Sequence, residues 1–97
     1  MNSNEFNELF KIISKRSKSK DKNSYTLKLL RLGPKKIAQK VGEESAELII
    51  DYLKGSKKRT TEEAVDLIYH LFVLLHSKNI TCDDVEKEII KRKNVRR

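Results

Sequence analysis

The chain has 97 residues, a formal net charge of +8, 37% apolar residues and little Gly or Pro; that length fits one domain with a modest core, built from long helices with short connections. No run approaches the ~18 apolar residues of a membrane span, and the N-terminal "MNSNEFNELF" lacks the apolar core of a signal peptide. The single cysteine, Cys82, excludes an internal disulfide and a Cys-rich metal cluster, and together these absences fit a cytoplasmic protein.

In chain order, Phe6, Leu9, Phe10, Ile12 and Ile13 recur at helical spacing over residues 5–16, and "SKSKDKN" then reads as an exposed loop. Ser24 is placed to cap a short helix, "YTLKLLRL", which Gly33 ends. Pro34 suits the first turn of the following helix, where its missing N–H is not needed; that helix runs over 35–54 and stops at Gly55. "GSKKR" reads as a link, with Thr60 or Thr61 capping the next helix and Glu63 at capping-box spacing from Thr60. This helix reaches about Ser77. After the turn "SKNIT", Thr81 with Asp83 and Asp84 opens a last helix through Ile90. Gly42, inside a helix, reads as a close approach of a helix or substrate, or as a tolerated glycine.

The charge is distributed unevenly. Residues 11–40 hold eleven Lys or Arg and one acid, Asp21, and "KRKNVRR" adds five bases at the end. Such a balance favours polyanions, either nucleic acid or the phosphates of a small molecule. Against it stands an acidic stripe in "KVGEESAELIIDYL". With Glu43 at zero on a helical wheel, Glu47 lies near ~40°, Asp51 near ~80° and Glu44 near ~100°, while Lys36 and Lys40 fall near ~20° and ~60°. The remainder of that helix is apolar. The next helix repeats the design: with Glu62 at zero, Asp66, His70 and Glu63 fall near ~40°, ~80° and ~100°.

Two helices joined by a short link pack antiparallel, which brings the acids of the first helix's C-terminal half against those of the second's N-terminal half. Clustered carboxylates must face water, take up protons or hold cations. Carboxylate oxygens at i, i+3 or i+4 suit a hard ion such as Mg²⁺ and leave positions for water and phosphate, with the neighbouring lysines neutralising the remaining phosphate oxygens. The plainer alternative is a solvated surface stripe with weak Lys–Glu pairs. His70 reads as a semi-buried residue with its hydrogen bonds made rather than as a ligand, and neither histidine builds a His-rich zinc site.

"SYTLKLL", "KVGEESAELII" and "EEAVDLIYHLFVLL" together resemble the phosphoribosyl-ATP pyrophosphatase family of histidine biosynthesis, within the all-α, MazG-like nucleoside-triphosphate pyrophosphatases. The likeness covers residues 5 to about 92 and carries the E-E-x-x-E and E-x-x-D signature as Glu43, Glu44, Glu47, Glu63 and Asp66. It implies a single domain over 1–97, with a basic tail at 93–97, folded as a helical hairpin that pairs into a homodimeric bundle. It also implies Mg²⁺-dependent hydrolysis of the α–β phosphate bond of phosphoribosyl-ATP, giving phosphoribosyl-AMP and pyrophosphate. By match, Glu44, Glu47, Glu63 and Asp66 are the metal ligands, and Glu43 binds metal or orients a water. Lys28, Lys36 and Lys40 are expected on the phosphates, and Ser24, Tyr25 and Thr26 around the substrate. In many organisms this domain follows a phosphoribosyl-AMP cyclohydrolase, which needs cysteine ligands; with only Cys82, the next pathway reaction is expected to be absent from this chain. Two rival readings are a housecleaning pyrophosphatase of free nucleoside triphosphates and a non-enzymatic basic helical dimer that binds nucleic acid. The chain supplies no groove-reading motif for the latter, so neither a specific nucleic-acid partner nor a membrane is expected.

Overall fold

A computed structural model describes residues 4–94. Five helices follow one another: α1 Glu5–Ser17, α2 Tyr25–Leu32, α3 Pro34–Lys54, α4 Lys57–Ser77 and α5 Cys82–Lys93. No strand occurs among the described residues. The all-α expectation therefore holds, and residues 95–97 of the expected basic tail lie outside the described residues.

Local chemistry sets most of the boundaries. The Asn4 side chain accepts from the Asn7 N–H at the start of α1, and Ser24 accepts from the Leu27 N–H at the start of α2. Gly33 ends α2 at φ +96°, a left-handed conformation that glycine adopts without a Cβ clash, and Pro34 opens α3 at once. Gly55 closes α3, with its N–H donating to the Asp51 carbonyl. A Cβ on Gly55 would lie 2.8 Å from that same oxygen, so the tight turn between α3 and α4 has no room for a side chain.

The expected link "GSKKR" is corrected here: α4 begins at Lys57 with Ser56 as its cap, accepting from the Arg59 N–H at 3.1 Å. Ser56 is the first cap-competent side chain after Gly55, and Lys57, Lys58 and Arg59 are good helix formers, so the helix starts as early as it can. Thr60 and Thr61 lie inside it, their hydroxyls donating to the carbonyls of Ser56 and Lys57. The capping box forms instead at α5, where Thr81 accepts from the Asp84 N–H and Asp84 accepts from the Thr81 N–H. That helix also continues past Ile90, to Lys93.

The α3–α4 hairpin is the spine, with α1 and α2 packed across its far end. Ile13 from α1, Leu29 from α2, Ile37 from α3 and Val73 from α4 form the buried core. Burial of each such side chain contributes about 1.5–3 kcal/mol. Phe10 adds an aromatic contact to Phe72, with centroids 5.0 Å apart. The turn end of the hairpin receives no such cover. Within the single chain, Ile37 and Glu44 are the buried residues of α3, while Ile49, Ile50, Tyr52 and Leu53 are each more than half exposed. The sequence reading of α3 as buried on most sides is therefore not met within one chain. Gly42 has open space where a Cβ would stand, so among the described residues no other helix approaches it closely. No described helix is long and apolar enough to cross a membrane.

Candidate active site

The antiparallel hairpin brings Glu44 of α3 against Glu63 and Asp66 of α4, with one carboxylate oxygen of each lying within 4.8 Å of the others. Glu44 and Glu63 are 7% and 6% exposed, whereas Asp66 is open to solvent. Burying two carboxylates beside a third is costly unless something positive joins them. Glu63 carries the clearest mark of that cost. Its Oε2 is buried with no hydrogen-bond partner. Desolvation first, and then the charges of Glu47, Asp66 and Glu44, push its carboxyl above the ordinary range, against the lowering effect of Arg59.

Glu47 lies outside this trio and is exposed, though close enough for its field to act on Glu63. Glu43 turns to the other side of the stripe. It accepts from the Gln39 amide at 2.8 Å and lies 3.5 Å from the Lys40 ammonium. Gln39, then Lys40 and Lys36, hold its carboxyl below the usual range despite some desolvation. Lys40 also reaches Glu44 at 3.5 Å. Partial burial works against the Lys40 charge, but Tyr25, Glu44 and Glu43 outweigh it and raise its pKa. Lys40 therefore joins the acidic trio to a basic cleft.

That cleft has a volume of about 360 Å³ and is lined by Tyr25, Lys28, Leu29, Leu32, Lys36, Lys40 and Glu43. The three lysines singled out in the sequence thus share one concave surface with Tyr25. The other two residues of the Ser-Tyr-Thr segment turn elsewhere: Ser24 spends its hydroxyl on the α2 cap, and Thr26 is 1% exposed.

Thr26 belongs to a polar network that periodicity could not reveal. Its hydroxyl hydrogen-bonds to the Tyr69 hydroxyl. The Tyr69 ring stacks on Tyr25 at a centroid distance of 6.1 Å. His70, 7% exposed, uses both ring nitrogens: Nδ1 lies 2.7 Å from the Asp66 carbonyl and Nε2 lies 2.9 Å from the Tyr25 hydroxyl. Since a carbonyl only accepts, Nδ1–H donates to Asp66, and with the ring neutral the Tyr25 O–H donates to Nε2. The expectation of a semi-buried histidine with its bonds made is met. Tyr69, together with Arg59 at the acidic end, is what sequence reasoning missed. The available signal was positional, since Arg59 lies four residues before Glu63 on one helix.

The trio fits a hard divalent cation. It offers oxygen donors only, two of them shielded from water, with one buried oxygen unpartnered. The lysine cleft beside it suits the phosphates that such a cation accompanies.

Comparison with known proteins covers most of the chain. Positions 6–93 match the profile of the family described as phosphoribosyl-ATP pyrophosphohydrolase. The chain is 47% identical over 92 residues to the phosphoribosyl-ATP pyrophosphatase of Sulfolobus acidocaldarius, an alignment covering 95% of this chain and 97% of that protein. Against the phosphoribosyl-ATP pyrophosphatase of Paracoccus denitrificans it is 42% identical over 84 residues, covering 87% and 78%. Against the histidine biosynthesis bifunctional protein HisIE of Thermotoga maritima it is 40% identical over 86 residues, which are 89% of this chain and 44% of that longer relative.

Proposed function

The chain belongs to the phosphoribosyl-ATP pyrophosphohydrolase family, and we propose that its acidic trio and lysine cleft carry out that family's hydrolysis. It is a hydrolase of histidine biosynthesis, and its substrate is a phosphorylated nucleotide. The finer reading is that the α–β phosphate bond of phosphoribosyl-ATP is split to phosphoribosyl-AMP and pyrophosphate, in the cytoplasm. The observation that carries this reading is the buried, unpartnered oxygen of Glu63 in a carboxylate trio beside three lysines.

Glu44, Glu63 and Asp66 would hold Mg²⁺, with Glu47 completing the set from its exposed position. When bound, Mg²⁺ supplies positive charge to the phosphoryl oxygens in the transition state. The protein does the positioning. Lys28, Lys36 and Lys40 bind the phosphate oxygens along the cleft. Tyr25, braced by His70 and stacked on Tyr69, forms the wall against which the nucleotide rests. Glu43, bonded to Gln39 and paired with Lys40, fixes the ammonium at the border between cleft and trio. Ser24 and Thr26 act one step further back, by setting the start of α2 and hence the direction of Tyr25.

The exposed apolar face of Ile49, Ile50, Tyr52 and Leu53 supports assembly as a homodimer, since a chain this small leaves it uncovered. Sedimentation at micromolar concentration should give a dimer; a stable monomer would end that part of the reading. The substrate is tested by turnover of phosphoribosyl-ATP, dATP, dCTP and dUTP with Mg²⁺. Phosphoribosyl-ATP should react far faster, and preference for the free nucleotides would favour the housecleaning alternative.

A further inference from the structure

Arg59 sits one helical turn before Glu63, at the mouth of the acidic trio. Its guanidinium is a hub for carboxylates: Nη2 lies 3.3 Å from Glu63 Oε1 and 3.5 Å from Asp51 Oδ2, and Nη1 lies 3.2 Å from Glu62 Oε1. The pair with Asp51 crosses the hairpin from α4 to α3. Arg59 is about half exposed, while the Glu63 side chain is 8% exposed, so a cation at the surface reaches inward to a buried acid. The contact is to Oε1, while Oε2 of the same carboxylate is buried without a hydrogen-bond partner.

We propose that Arg59 is a built-in competitor for the metal: a tethered counterion that holds Glu63 while the trio lacks a cation and weakens cation binding there by like-charge repulsion. The inference rests on the metal reading of the trio given above. Its physical basis is linkage. A positive charge near Glu63 stabilises the metal-free protein, and the free energy by which it weakens cation binding equals that by which a bound cation weakens its contact with Glu63. A divalent ion entering the trio draws on Glu63 and loosens the Arg59 contact, while the contacts to Asp51 and Glu62 keep the guanidinium nearby. The device therefore sets how readily the site fills before nucleotide brings its own negative charge.

The test is Mn²⁺ binding to the nucleotide-free protein, read by the electron-spin signal of free Mn²⁺, in wild type and in Arg59→Gln, Arg59→Lys and Glu63→Gln. Arg59→Gln should bind Mn²⁺ about fivefold or more tightly than wild type, on the scale of ordinary coupling energies, whereas Arg59→Lys, which keeps the charge, should stay near wild type. In thermal melts, Arg59→Gln should be less stable without metal and should gain more from saturating Mn²⁺ than wild type does. Arg59 as a simple clasp of the hairpin would lower the melting temperature and leave Mn²⁺ affinity unchanged, which overturns the proposal. Arg59 as a phosphate ligand would raise KM with the same unchanged Mn²⁺ affinity, and overturns it equally. If wild type and Glu63→Gln bind Mn²⁺ alike, the metal reading itself falls; if Glu63→Gln loses binding while Arg59→Gln matches wild type, only the role of Arg59 falls. Absence of binding in both wild type and Arg59→Gln also overturns it.

Discussion

Two neighbouring stretches of α4 treat buried polarity in opposite ways. Tyr69 and His70 have found partners: the Tyr69 hydroxyl meets Thr26, and the two ring nitrogens of His70 meet Tyr25 and the Asp66 carbonyl. About two turns earlier, Glu63 is as well buried as His70 yet keeps an oxygen with no partner, among like charges. A satisfied buried group stiffens the scaffold, while an unsatisfied one costs stability for as long as it stays so. On the proposed reading, the difference divides the helix into a part that is finished on its own and a part that a ligand would complete.

The sharpest way to break this division is to remove the acidic charge while keeping its shape. Glu63→Gln or Asp66→Asn should lower kcat/KM with phosphoribosyl-ATP by about 10² or more, while the metal-free protein melts at the same or a higher temperature because repulsion is relieved. Near-wild-type turnover in both variants would make the trio a surface stripe after all. The opposite outcome is expected at the finished end. Tyr69→Phe leaves the buried Thr26 hydroxyl without its partner and should cost about 1–3 kcal/mol of stability in denaturant titrations, with turnover falling less than about tenfold, since Tyr25 keeps its bond to His70.

The smallest effect belongs to a group in neither class, the α5 cap. Thr81→Ala should cost about 1 kcal/mol and leave turnover unchanged. The Thr81 backbone N–H first, and its side chain second, hold the Asp84 carboxyl below its ordinary value. With the folded value depressed, that stabilisation is present above the unfolded carboxylate range and is lost as pH falls through the folded one. Melting temperature followed against pH should show a smaller loss on acidification in Asp84→Asn than in wild type, the remainder including the contribution of Glu43.

How much of this could be read from the chain depended on the distance over which each feature is specified. Ser24, Gly33, Pro34 and Gly55 are strong local punctuation, and α2 and α3 begin and end at them within a residue of expectation. The start of α4 went astray because Ser56, Thr60 and Thr61 all make plausible caps, and only the geometry of the turn chooses among them. Spacing placed Glu43, Glu44, Glu47, Glu63 and Asp66 along facing stripes. It could not tell that Glu43 turns to Gln39 and Lys40, that Glu47 stays in solvent, or that Glu44, Glu63 and Asp66 converge, because side-chain direction depends on what lies opposite. The links from Tyr25 to His70 and from Thr26 to Tyr69 join residues far apart in sequence, and no period of a single helix encodes them.

The two-residue turn of Gly55 and Ser56 has a consequence for how the protein comes to be folded. Because it joins α3 directly to α4, the acids that converge are near neighbours along the chain, and closing the loop between them costs little entropy. Local contacts of this kind favour fast closure of the hairpin relative to contacts between elements far apart in sequence. The electrostatic conflict of its acids lies within the same local unit, where Arg59, on the first turn of α4, pairs with Glu63. On that reading, added salt or divalent ions should change the rate at which the hairpin closes as well as the stability of the finished fold, which refolding kinetics measure.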